Sequence, residues 1–290
     1  NRIKGILYAA VSSSTFGLAP FFSITLLLAG FSAFEVLSYR WGVALIVLIV
    51  FGCYPVAIFD WLEKIEEFFS VEFVEAVTSF SLIIAYQNIA SGVASTIHFM
   101  YPLAVALAMM FFFREKKSLL VILAVLMSLL GAALLSLGEL EAKSGNTMVG
   151  LVAACVSVFS YAGYIVGVRT TRAVQINSTA LTCYVMGLGT IFYLIGAYCT
   201  SGLQLVSDGY TWLIILGLAL PATAISNITL VQAIKYAGPT LTSILGAMEP
   251  LTAVVIGVFV FKELFTVNSA VGIILILLAV SIVVFRRQKS

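Results

Sequence analysis

A few side chains able to do chemistry stand inside long apolar runs, and their spacing groups them. Glu249 sits in the middle of one such run and is followed directly by Pro250. A charged side chain at the centre of a membrane helix costs about 2.5–3.5 kcal/mol on insertion scales, so Glu249 must face a polar cavity or carry a proton. Either proton coupling or capture of a substrate ammonium fits it. A protonated carboxyl that repairs the carbonyl freed by Pro250 fits as well. His98, the only histidine, follows Ser95 by three residues and precedes Pro102 by four, which places all three on one helix face. It can relay protons, bond a substrate, or bond across helices as a neutral imidazole. Arg40 is the one basic residue well inside an apolar run, and its guanidinium can clamp a carboxylate or phosphate with two parallel bonds. Pro20, Pro102, Pro221 and Pro250 each remove a backbone bond inside an apolar run. Pro102 and Pro250 are candidate hinges, with a static kink as the alternative.

Other chemistry finds little support. Cys53, Cys155, Cys183 and Cys199 form no CxxC pair, so neither a metal site nor a disulfide framework is expected, and no cofactor. There is no GxSxG or HExxH motif, and the reading finds no paired carboxylates within the apolar runs, which argues against a membrane-embedded enzyme.

The elements that must position these groups follow from composition. Of 290 residues, 62% are hydrophobic and 10% charged, and the mean hydropathy is +1.14. An ordinary soluble domain carries about 25% charged residues, so a soluble globular fold is excluded and the partner of most side chains is the lipid bilayer. Apolar runs between polar breaks predict ten spans, at 5–28, 32–54, 70–89, 91–113, 118–138, 148–168, 178–200, 209–234, 239–261 and 266–285. The first is too long for a signal-peptide core and is read as a retained helix. The segment 55–70 mixes Trp61, Phe68 and Phe69 with Asp60, Glu63, Lys64, Glu66 and Glu67, which predicts an amphipathic interfacial stretch.

Charge placement sets the orientation. With both termini cytoplasmic, Arg2, Lys4, Lys64, Arg114, Lys116, Lys117, Arg169, Arg172, Lys235, Arg286, Arg287 and Lys289 fall inside, and only Lys143 and Lys262 outside. Basic residues gather on the cytoplasmic side of membrane proteins, which supports this topology. The net charge of +2 is too small to suggest a nucleic-acid partner.

The two halves resemble each other. A shift of 148 sets Ala85 on Ala233, Ser95 on Ser243, Met100 on Met248, Pro102 on Pro250, Arg114 on Lys262, Glu115 on Glu263 and Ser118 on Thr266. Near the starts of the halves a shift of 145 sets Gly5 on Gly150, Ala9 on Ala154, Ser12 on Ser157, Thr15 on Ser160 and Phe16 on Tyr161. Residues 1–144 and 145–290 are therefore read as two repeats of five spans. An odd number of spans inverts the second repeat relative to the first, the architecture of many secondary transporters.

These residues carry a resemblance. Ser38 to Trp41, the Ala-Ser-Gly-Val-Ala run from Ala90 to Ala94, Tyr101-Pro102, Arg114-Glu115, Met248-Glu249-Pro250 and Lys262-Glu263 together resemble the drug/metabolite transporter superfamily, specifically its EamA-type carriers. The resemblance covers essentially the whole chain. It implies an all-α membrane fold of ten helices around a central cavity formed by helices one, three, four, six, eight and nine. It also implies export of amino acids or other small metabolites through a bacterial inner membrane by alternating access, with a small-molecule substrate and a monomeric or dimeric carrier. Drugs, sugars and nucleosides stay open as substrates. Phosphorylated ones are disfavoured, because the cavity helices offer no midplane Lys or Arg. Polar candidates on those helices are Ser12, Ser13, Thr15, Gln87, Ser160, Asn227, Gln232 and Ser243, and aromatic candidates are Phe16, Tyr86, Phe99, Tyr101, Tyr161 and Tyr164. Phe16 and Tyr161 stand out because the repeat makes them equivalent. Arg40, on a helix outside that set, is assigned a structural contact to a carbonyl or to a carboxylate such as Glu35.

Overall fold

The computed structural model describes residues 2–53, 57–89, 91–114, 119–136, 145–171, 177–200, 202–249, 251–252 and 266–286. The described residues form helices joined by short connections, with no strand among them. We number them α1 (Arg2–Phe16), α2 (Ala19–Leu28), α3 (Ala33–Leu48), α4 (Ala57–Asn88), α5 (Ser91–His98), α6 (Tyr101–Phe111), α7 (Leu119–Ser136), α8 (Thr147–Thr170), α9 (Ser178–Cys199), α10 (Gly209–Ala219), α11 (Ser226–Ala237), α12 (Pro239–Leu245) and α13 (Val267–Arg286). Among the described residues, five stretches are long and apolar enough to cross a bilayer: Arg2–Leu28, Ala33–Phe51, Thr147–Thr170, Ser178–Cys199 and Gly209–Ala237.

Local chemistry sets several of these boundaries. Ser32 caps α3 by accepting the Glu35 N–H, while the Glu35 carboxylate accepts the Ser32 N–H, a reciprocal pair that satisfies two free donors. The other Glu35 oxygen accepts the Gln204 N–H at 2.8 Å, pinning the connection before α10 to the start of α3. Glu35 is thus committed to capping and is not the partner of Arg40. Gly238 (φ 85°) makes the turn between α11 and α12, where a side chain would be strained.

Asp208 caps α10 by accepting the Thr211 N–H at 2.7 Å, and that bond holds its carboxyl below the usual value of 3.8. Because the folded value is depressed, the cap contributes above the ordinary value and is lost as pH falls through the lowered one. Asp208→Ala should therefore lower the melting temperature at neutral pH, with the difference from the parent protein vanishing on acidification in a pH-resolved melting series.

Several of the predicted spans are not plain helices. The first breaks at 17–18, just before Pro20, and the fourth at 99–100, just before Pro102. The eighth carries a π-helical turn at Leu220–Ile225 around Pro221. The ninth breaks at 246–247, and its continuation past 252, like Pro250 itself, lies outside the described residues. The stretch from 57 to 70 is continuous with the predicted third span in a single 32-residue helix; residues 54–56 lie outside the described set.

Packing between helices reflects the internal similarity. In the repeat correspondence, α1 against α11 is the counterpart of α8 against α4, while α3 with α9 and α7 with α13 map onto themselves, and all four pairs are in contact. Helices in lipid gain little from hydrophobicity between themselves and associate where small residues allow close approach. A methyl at Gly5 would lie 2.7 Å from the Ala237 nitrogen, and one at Gly150 2.6 Å from Ile89. Both glycines and both partners are repeat equivalents. Gly189 faces Trp41, its own counterpart 148 residues away, and a methyl there would lie 1.9 Å from two ring carbons of a tryptophan that is 1% exposed. Gly189→Ala should therefore cost about 1–3 kcal/mol of stability through overpacking, read as a lower melting temperature in detergent.

Candidate functional site

Three helix breaks converge on Glu249. The first-span break reaches it directly, for a methyl at Gly17 would stand 2.6 Å from the Glu249 carbonyl oxygen. The fourth-span break presents Tyr101, whose hydroxyl donates to Glu249 Oε1 at 3.3 Å. Gly246, in the ninth-span break, leaves the space that this hydroxyl fills. Tyr101 is 2% exposed, whereas Glu249 stays half-buried, so the carboxylate is held in place without being sealed inside the packing. Tyr101 and Glu249 are themselves 148 residues apart, equivalent positions of the two repeats that touch each other.

An aromatic group leads away from this carboxylate. Tyr161 packs edge-on against Tyr101 with ring centroids 4.6 Å apart and stacks on Phe16 at 6.2 Å. The Arg40 guanidinium sits 5.5 Å over the Phe16 ring, a cation–π arrangement. His98 lies 5.3 Å from Tyr161 and 5.5 Å from Tyr101. Its Nδ1 bonds Ser157 Oγ at 2.9 Å, and its Nε2 has no partner among the described residues. The site thus gathers Phe16, His98, Tyr101, Tyr161 and Glu249 of the sequence candidates, with Pro102 one residue from Tyr101.

Most hydroxyl and amide candidates are turned to packing. Ser12 donates across to the Ser226 carbonyl at 2.8 Å, and Thr15 bonds Val11 and Ser12 within its own helix. Ser160 accepts from Thr78 at 2.9 Å and donates to the Val156 carbonyl. Asn227 donates to the Thr223 carbonyl of the adjoining π-helical turn, and Ser243 to the Thr240 carbonyl within α12. Gln232 is half-buried on α11, and Gln87 is exposed in the last turn of α4, next to the Asn88 that accepts the Asn146 N–H.

Two carboxylates escaped the sequence reading. Glu72 and Glu75 lie inside the third span one helical turn apart, each 2% exposed, so the expectation of no paired carboxylates within the spans is overturned. The Oε2 atom of each has no hydrogen-bond partner among the described residues. The visible signal was Val-Glu-Phe-Val-Glu-Ala, two acids at i, i+3 in an otherwise apolar stretch. Arg40, Tyr161, Tyr164 and Tyr193 stand around Glu75, and Tyr164 also stands near Glu72. Arg40 is 4% exposed, and its Nε donates to Thr223 Oγ1 at 2.7 Å; Thr223, in the π-helical turn, in turn donates to the Leu218 carbonyl at the end of α10. No periodicity in the sequence announces that turn, whose widened register sets where Thr223 stands.

Comparison with known proteins agrees with this fold. The model of the family described as EamA-like transporters matches residues 3–137 and 148–285. One solved crystal structure is similar over 97% of this chain and 96% of its own, with a TM-score of 0.79 at 16% identity, a likeness of fold. Among curated proteins no significant match was found.

Proposed function

The chain belongs to the EamA-like transporter family, and on that footing we propose that it is a ten-span secondary carrier exporting small zwitterionic metabolites, amino acids first among them, from the cytoplasm. The observation that carries this reading is the half-buried carboxylate of Glu249, steadied by Tyr101 where three helix breaks meet. Discontinuous helices near the midplane form the substrate sites of many transporters, because their ends present unbonded groups to a ligand. Glu249 takes the substrate ammonium in a charge-assisted bond. The N-terminal ends of α2 and α6, which start at the breaks, offer N–H groups and the positive end of the helix dipole to its carboxylate. Phe16 and Tyr161 flank the side chain. Between substrates a proton neutralises Glu249, so loading and proton release become one exchange.

Contacts between repeat-equivalent residues, Tyr101 with Glu249, Phe16 with Tyr161 and Trp41 with Gly189, support a pseudo-two-fold axis in the membrane plane running through this site. An inverted pair of halves reaches the opposite-facing state by exchanging conformations, with Pro102 and Pro250 as hinges. The bias of basic residues supports cytoplasmic termini in a bacterial inner membrane. Counterflow in proteoliposomes against labelled amino acids tests the proposal. Saturable exchange of particular amino acids supports it; exchange only of sugars, nucleosides or drugs overturns the substrate class.

A further inference from the structure

We propose that Glu75 is a proton-binding site that governs reorientation, and that Arg40 exchanges partners between Thr223 and Glu75 as the carrier changes its facing state. This rests on the carrier reading above. Thr223 and Glu75 are 148 residues apart, the spacing that relates the two repeats, and both face Arg40: Thr223 through a 2.7 Å bond, Glu75 through space. Arg40 is the neighbour of Trp41, which packs on its own counterpart Gly189. The guanidinium also lies over Phe16, which stacks on its repeat counterpart Tyr161, so it stands among residues paired across the halves, with Thr223 of one half bonded to it and Glu75 of the other near it. When the halves exchange conformations, the guanidinium is placed to turn from Thr223 to Glu75.

The two partners differ in one respect: a threonine cannot ionise and a glutamate can. In the structure described here Arg40 bonds Thr223, and Glu75, 2% exposed, has an oxygen without a partner among the described residues. An ionised carboxylate so placed is costly, so in this state Glu75 carries a proton. When Arg40 turns to it, the O–H bond breaks and the proton leaves to water. The carboxylate then pairs with the guanidinium, and Thr223 keeps its own bond to the Leu218 carbonyl. Each change of facing state therefore binds or releases one proton. The titratable and charged groups around Glu75 are Arg40 from α3, Tyr161 and Tyr164 from α8, Tyr193 from α9 and Glu72 on its own helix; on α5, His98 is bonded to Ser157. Arg40 is the one basic side chain among them.

Trp41 reports this exchange without any substrate. In a Trp61→Phe/Trp212→Phe background reconstituted in liposomes, Trp41 emission is expected to show a one-proton transition with pH. Glu75→Gln should abolish it, while Glu249→Gln should keep it. Thr223→Val removes the bond that holds Arg40 in the present state, so its transition should move toward acid by about one pH unit or more. The exchange Glu75→Thr/Thr223→Glu should restore a transition. A transition that survives in Glu75→Gln, its absence from the parent background, or a folded double exchange without one would each overturn the proposal. Failure of amino-acid counterflow with the Trp41 transition intact would fault the substrate reading instead.

Discussion

Glu249→Gln is expected to weaken substrate binding by about ten- to a hundredfold while leaving the protein folded. The amide is nearly isosteric and its oxygen still accepts the Tyr101 hydroxyl, so the packing of the three helix breaks is unchanged. What disappears is the charge that meets an ammonium. Hydrogen bonds to charged groups contribute about 1.5–3 kcal/mol, and each 1.4 kcal/mol is about tenfold in affinity. The measurement is the concentration dependence of counterflow alongside a melting curve. Tyr101→Phe is the control: it frees the carboxylate without removing it and should cost less. Binding unchanged in Glu249→Gln would remove the carboxylate from the substrate site, and loss of folded protein would assign it a structural role.

Arg40→Met should be the most damaging single change to stability. It deletes the one buried guanidinium among the described residues, strips Thr223 of its donor partner and removes the cation over the Phe16 ring. A hydrogen bond from a charged donor contributes about 1.5–3 kcal/mol and a desolvated cation–π contact about 2 kcal/mol, and both go with the side chain. Arg40→Lys keeps the charge but loses the planar group over Phe16 and should fall between. The informative variant is Arg40→Met/Glu75→Gln. Because Glu75 carries a proton in this state, Glu75→Gln should add little to the loss caused by Arg40→Met, and the two changes in melting temperature should be additive. A double variant that recovers much of the loss would mean that Glu75 is ionised beside Arg40 in this state, against the proposal above.

Some of this was readable from residue order. The proline breaks at Pro20 and Pro102 fall where the apolar runs carry them, since a missing N–H interrupts any helix whatever packs on it. Phe16 and Tyr161 were singled out by the repeat and do stack. The hydroxyl candidates fared differently. Ser12, Thr15, Ser160, Asn227 and Ser243 are consumed by carbonyls of their own or neighbouring helices, and a list of polar residues cannot tell a spent donor from a free one. Glu72 and Glu75 were hidden by their neighbourhood. Next to the acidic stretch from Asp60 to Glu67 they read as the polar end of a span, yet the 32-residue helix carries them into the interior.

Membrane embedding, two similar halves and a carboxylate beside a helix-breaking proline are local or periodic properties, so they follow from residue order alone. Bilayer thickness dictates span length, and duplication leaves the same residues at a constant offset. Partnership is not local. That Tyr101 holds Glu249, that Glu35 serves a cap and a distant loop, and that Arg40 stands between Thr223 and Glu75 depend on which helix faces which. Those choices are made by glycine-sized gaps at Gly5, Gly150, Gly189 and Gly246, where a neighbouring backbone or side chain fills the space that a methyl would need. Lipid tails are as apolar as the side chains they surround, so close steric fit selects the neighbours, and fit exists only once the helices are assembled.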